Sequence, residues 1–269
     1  MIIDTHTHIF PDKIASRTLE ILSGNAKKIW NRTAIPQTDG KLNGIKEAMA
    51  GHGVGASVIL PIATTIKQSG SINKFASQIN GVDNIYSLGS LHPMQTDWEE
   101  TLYQIKELGL KGIKLHPEYQ SFYVTSPECI RILQKCEELD LIVYFHAGED
   151  VGIDLPVHST PIMFKELLNH ISGKKVVLAH MGGWQQWDDV EKHLVGTSYH
   201  FDTAYCLSEM RIAQTARIIS KHGSHKILFG TDSPWHNATE TISMVNNLPI
   251  SQEDRDNIFY KNAKKLFNI

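Results

Sequence analysis

The feature that most limits how this 269-residue chain can fold is an alternation. Eight short apolar or β-branched runs, at residues 2–8, 56–61, 85–92, 111–116, 141–146, 175–180, 198–203 and 226–232, are separated by longer amphipathic stretches. Helical patterns run through 98–108, 127–140, 161–171 and 208–222. Ser126 before Pro127 and Thr160 before Pro161 each put a capping hydroxyl ahead of a proline at the first helical position. Strands that alternate with helices pair in parallel through crossovers. Eight such units in about 250 residues predict a (β/α)8 TIM barrel. An open doubly wound sheet would carry a glycine-rich phosphate turn after its first strand, where this chain reads His6-Thr7-His8. Residues 9–42 are too long for a plain connection. They are expected to form a partly helical insertion over the barrel mouth, within one domain spanning 1–269.

Composition narrows the function. A hydrophobic share of 41% rules out a disordered chain. Lys+Arg 26 against Asp+Glu 29 leaves a net charge of −3, which gives no long-range field for phosphate backbones, so no nucleic-acid partner is expected. No apolar run of about 18 residues is present to span a membrane, and Asp4 and His6 interrupt the apolar opening before a signal peptide can form. Cys129, Cys136 and Cys206 are an odd number without CxxC spacing. That excludes a disulfide framework and points to reduced thiols in a cytoplasmic protein. A homodimer is compatible with the size, although no interface signature stands out.

The 14 histidines are the unusual count, and their placement carries the argument. His8, His92, His116, His146 and His180 close five of the eight runs, and Asp232 closes a sixth. In a parallel barrel these ends open on one face, where active sites of that fold lie. His6 and His8, two apart on one strand, point to the same side and can share one metal ion at about 2.0–2.1 Å. His146 and His180, at matching ends of successive strands, read as members of the same site. Asp232 is either a helix N-cap before Pro234 or a ligand and proton acceptor. His116 is a candidate for substrate or a second ion. His92 stands between substrate contact and a core hydrogen bond. Lys114, on the same strand face as His116, would orient a substrate carboxylate or form a buried structural cation. His52, His158, His170, His193, His200, His222, His225 and His236 fall mostly in helical or loop contexts, and most of them read as solvated.

Taken together, Asp4-Thr5-His6-Thr7-His8, Gly112-Ile113-Lys114-Leu115-His116-Pro117, His146-Ala147-Gly148, Ala179-His180-Met181-Gly182-Gly183 and Phe229-Gly230-Thr231-Asp232 resemble the amidohydrolase superfamily. The nearest branch is the one that includes aminocarboxymuconate-semialdehyde decarboxylase. The resemblance implies a barrel with a divalent metal, usually zinc, held by His6, His8, His146 and Asp232, with His180 activating water. Asp232 would combine ligation with proton transfer. Binuclear members place a carboxylated lysine or a glutamate on the fourth strand. Here that stretch offers Lys114, which lies deep, and His116 or Glu118 for a second ion.

The expected function is therefore metal-dependent hydrolysis or non-oxidative decarboxylation of a small amide, lactone or carboxylate. Trp30, Arg32, Trp184, Trp187, Arg211 and Trp235 stand in the loops that would choose the substrate, with Trp184 and Trp235 as the lead candidates. Two rival readings differ in class. A TatD-type nuclease or phosphoesterase shares the motifs but calls for a strand-four glutamate and a basic rim. A non-enzymatic binding protein stabilised by metal would close its site with four ligands, leaving His180 without a task.

Overall fold

The computed structural model describes residues 1–269 and contains nine parallel strands. They are β1 (Ile3–Thr7), β2 (Ala56–Ile59), β3 (Ile85–Ser87), β4 (Gly89–Ser90), β5 (Gly112–Leu115), β6 (Ile142–Phe145), β7 (Val176–Leu178), β8 (His200–Asp202) and β9 (Ile227–Leu228). Hydrogen bonds join β1-β2-β3 and β4 through β9 in sequence order. β3 and β4 are one barrel stave broken at Leu88, so the run 85–92 is shorter and more irregular than its sequence predicts. Leu88 N bonds Ile59 O at 3.0 Å and carries the pairing across the break. The ring closes between β9 and β1: Thr5 N donates to Phe229 O at 2.9 Å and Asp232 N to His6 O at 2.9 Å. The barrel is therefore the closed (β/α)8 type.

Alternation along each strand divides the apolar side chains into two sets. Ile3, Val58, Leu88, Ile142, Tyr144, Val177 and Leu228 form one buried cluster that fills the barrel. Their neighbours Ile113, Leu115, Val143, Phe145, Leu178, Phe201 and Phe229 belong to a larger cluster beneath the helices. Helix α1 (Asp12–Trp30) fills most of 9–42, followed by α2 (Leu42–His52), α3 (Ser69–Ile79), α4 (Trp98–Glu107), α5 (Pro117–Gln120), α6 (Pro127–Glu138), α7 (Pro161–Leu167), α8 (Trp187–His193) and α9 (Ile212–His222). Ser126 caps α6 by accepting from Cys129 N. Thr160 has capping backbone geometry, but its hydroxyl has no partner. Helices α7 and α9 are shorter than their amphipathic patterns, ending at Leu167 and starting at Ile212. The three cysteines are buried and unpaired. No helix is long and apolar enough to cross a membrane.

Candidate active site

The strands end one or two residues before their histidines, which leaves those side chains at the barrel mouth. His6 Nε2, His8 Nε2 and Asp232 Oδ1 form a triangle: 3.2 Å between the two nitrogens, 3.2 Å from His6 to the carboxylate and 3.1 Å from His8 to it. Each imidazole is oriented through its other nitrogen. His6 Nδ1–H donates to Asp202 Oδ2 at 2.7 Å, and His8 Nδ1–H donates to Leu60 O at 2.8 Å. Those bonds fix both tautomers and leave both Nε2 atoms as acceptors. Burial lowers the His6 pKa to about 4, so its ring is neutral near pH 7. Three acceptors therefore face one another with no proton to share.

A tetrahedral ion with ligands at about 2.0–2.1 Å sets them roughly 3.3 Å apart, close to the edges of this triangle. The donor set fits a divalent cation such as zinc. It also carries the outer partners that ligating histidines normally have.

A second pair repeats the pattern. His180 Nδ1–H donates to Ala204 O at 2.8 Å and His146 Nε2–H to Glu149 O at 2.9 Å. The remaining nitrogens, His180 Nε2 and His146 Nδ1, stand 3.2 Å apart as two more acceptors. His146 does not join the triangle. Its nearest potential ligand group is the one formed with His116 and Asp150. There the His116 and His146 rings stack at 4.1 Å and 12°, so their lone pairs run side by side instead of converging. His116 Nδ1 accepts from Tyr119 N, leaving Nε2–H directed at Asp150 Oδ2 at 3.4 Å. Those nitrogens are already donors, a poor arrangement for a second ion.

Backbone strain is concentrated here. His180, Met181 and Asp232 have φ of 59°, 55° and 66°, a left-handed conformation that costs non-glycine residues about 1–3 kcal/mol each. Asp202 holds the first of these turns: its Oδ1 accepts His180 N at 2.8 Å and Ala204 N at 2.9 Å. Trp187 Nε1 adds a bond to His180 O at 3.0 Å. Tyr144 OH donates to Asp202 Oδ2 at 2.6 Å. Burial opposes ionisation of Asp202, but His6, His180 and Tyr144 together hold it well below the usual carboxylate range.

Above these groups lies a cavity of about 380 Å³ lined by His6, His8, His146, His180 and Asp232, and also by Lys114, His116, Trp184 and Trp235. Lys114 is 1% exposed, its Nζ has no hydrogen-bond partner, and burial lowers its pKa to about 8. It sits 5.1 Å over the Tyr144 ring, with Asp202, Asp232 and Asp150 opposing the downward shift.

Part of the chain matches the family model described as amidohydrolase, over residues 91–269, well over half its length. The chain belongs to the amidohydrolase family. His6 and His8 lie ahead of the matched residues, and their place in the site rests on the geometry above. This amidohydrolase also resembles solved structures. One is a TIM-barrel protein from Bordetella bronchiseptica, with TM-score 0.75 and 17% identity, covering 99% of this chain and 98% of that one. Another is 5-carboxyvanillate decarboxylase from Sphingomonas paucimobilis, with TM-score 0.68 and 14% identity, covering 100% and 99%. The third is dihydroxybenzoic acid decarboxylase from Polaromonas sp. JS666 with bound manganese, with TM-score 0.67 and 15% identity, covering 99% and 96%. At these identities the likeness establishes the fold. No curated protein matches the sequence.

Two expected site residues of this amidohydrolase lie elsewhere. Glu118 does not line the cavity. Its carboxylate accepts from His158 N, His158 Nδ1 and Ser159 Oγ at 2.9, 2.6 and 2.9 Å, and so anchors the loop after β6. His92 is also outside the lining, with Nδ1 accepting from Met94 N at 3.3 Å. Three of the histidines set among helical and loop contexts are not solvated, His200 with its Nδ1 buried and unpartnered among them. His158 is the partner of Glu118, and His222 is buried and stacks on Phe201 at 4.0 Å. Conversely, Asp202 and Asp150 escaped the sequence reading. Asp202 sits one residue before the end of the run 198–203, a strand-end acid like Asp232, and that signal was available. Asp150 lies in a loop, where periodicity is silent.

Proposed function

We propose that this amidohydrolase is a metal-dependent enzyme that cleaves a small organic substrate by hydrolysis or by loss of a carboxylate as CO₂. His6, His8 and Asp232 are the ligands of one ion, and His180 is the general base. The observation that carries this reading is the triangle of acceptor atoms on His6, His8 and Asp232, with no donor among them, beside a second acceptor pair on His146 and His180. Two imidazoles and a carboxylate are a donor set suited to zinc. A bound divalent ion supplies Lewis-acid polarisation of a substrate oxygen and lowers the pKa of water.

The chain's own groups do the rest. His180 Nε2, the acceptor nitrogen of the neutral tautomer that donates Nδ1–H to Ala204 O, takes a proton from water and returns it to the leaving group or to the carbon that loses CO₂. Asp202 holds His180 in its left-handed turn and His6 in its tautomer. Lys114 places a positive charge beneath the cavity, where anionic character develops. The phosphoesterase alternative calls for a basic rim, but Lys114 is the only lysine or arginine that lines the cavity, and Glu118 is committed to His158.

The test is metal content. Protein purified without chelator or histidine tag should carry about one equivalent of zinc per chain, and His8→Ala should lose it. Two equivalents, or metal retained by His8→Ala, would defeat the ligand assignment.

A further inference from the structure

The cavity has an apolar arm that the chemistry at its floor does not need. Helix α1 contributes Ile14, Leu22 and Ala26 with Thr18, a single stripe at four-residue spacing. The same cavity is lined by Gln68, Ser71, Ile72 and Phe75, which lie at i, i+3, i+4 and i+7 on and just before α3. Phe10 and Ile62 complete the arm. Phe10, Leu22, Ile62, Ile72 and Phe75 are only half-buried and retain surface, Phe75 while also packing against the core cluster around Ile45 and Ile59. Apolar side chains held open in this way bind an apolar group by the same burial that drives folding.

Charge narrows the ligand further. Lys114 is the cavity's one lysine or arginine, against Glu149, Asp150 and Asp232. Arg32, two residues beyond the end of α1, spends its guanidinium on Glu209 and stacks on Trp184 at 5.1 Å. Even with a divalent ion in place, nothing remains to neutralise a substrate with two or more negative charges.

We infer that the site takes a neutral ester or lactone with an apolar tail, the tail lying between α1 and α3. This rests on the proposed metal-dependent site and specifies its substrate. In the reaction, water oxygen bonds to the acyl carbon and the acyl C–O bond breaks. The leaving alkoxide takes back the proton that His180 removed, giving an acid and an alcohol, which for a lactone are one molecule.

Titration calorimetry with acetohydroxamate, hexanohydroxamate, octanohydroxamate and benzene-1,3-dicarboxylate tests it, on protein as purified and after chelation. Affinity should rise about three- to fourfold per methylene over the first several carbons. The dicarboxylate should bind at least tenfold more weakly than octanohydroxamate. Leu22→Ser and Phe75→Ser should each flatten the tail dependence. A flat series, or a dicarboxylate that binds more tightly, overturns the substrate class. The metal site is judged separately: if chelation leaves every affinity unchanged, the ligand assignment fails, while a rising tail series still upholds the apolar arm. Turnover should follow the same order, with γ-lactones bearing longer tails cleaved faster than γ-butyrolactone.

Discussion

Asp202 Oδ2 accepts the Nδ1–H of His6 at 2.7 Å, and the other oxygen of the same carboxylate accepts the backbone N–H of His180. One buried acid thus sets the tautomer of a proposed ligand and the turn that carries the proposed base. Asp202→Asn replaces one of its acceptor oxygens with a donor that opposes His6 Nδ1–H. Zinc affinity should fall about 10–100-fold, measured by competition with a chromophoric chelator. Unchanged affinity would remove Asp202 from this role.

His180→Asn separates base from ligand. The triangle of His6, His8 and Asp232 stays intact, so metal content should match the parent. Turnover should drop by about 10²–10⁴, read from kcat with substrate saturating. Loss of the metal along with activity would instead make His180 a ligand.

Gly148 has a φ of +86°, and a Cβ there would overlap the backbone of Trp184 and Gly183. Backbone cannot move aside as a flexible side chain can. Gly148→Ala should cost about 3 kcal/mol or more and displace Trp184 from the cavity wall. Thermal unfolding and tryptophan fluorescence report the two effects, and a variant with parental Tm and spectrum would contradict the packing.

Burial lowers the pKa of His222 to about 3, with Nε2–H bonded to Tyr199 O at 2.9 Å. The unfolded chain binds this proton below about pH 6.5, whereas the folded chain refuses it until near 3. Stability is therefore complete above about pH 6.5 and is lost as pH falls toward 3, by up to about 1.4 kcal/mol per pH unit for this group. His222→Gln should lower Tm at pH 7 yet lose less between pH 6.5 and 4.5 than the parent does. An unchanged slope would show that the ring does not carry the effect.

Much of this was legible in the residues themselves. Short apolar or β-branched runs and capped amphipathic stretches are local patterns, and local patterns determine strands, helices and their parallel order. Because parallel strands all end on one face, histidines at run ends announced the mouth of the barrel and the residues that gather there. His6, His8 and Asp232 were recoverable for that reason, as were His180, Lys114, His116, Trp184 and Trp235 as cavity residues.

What remained hidden depends on directions and distances that no local pattern encodes. Glu118 follows His116 by two residues, yet the turn of α5 sends it to His158 and away from the cavity. His146 stands at the expected strand end, but its ring rotates to stack on His116 and meets His180 instead of the triangle. The insertion was visible only as excess length, while its apolar stripe acquires meaning from α3 across the cavity. Sequence alone determined that His6, His8, His116, His146, His180 and Asp232 reach the barrel mouth, because strand direction and parallel topology leave those run ends little choice. Tertiary structure alone decided which lone pairs face one another. That depends on rotamers and on hydrogen bonds between residues as distant as His6 and Asp202, set by packing across the whole barrel.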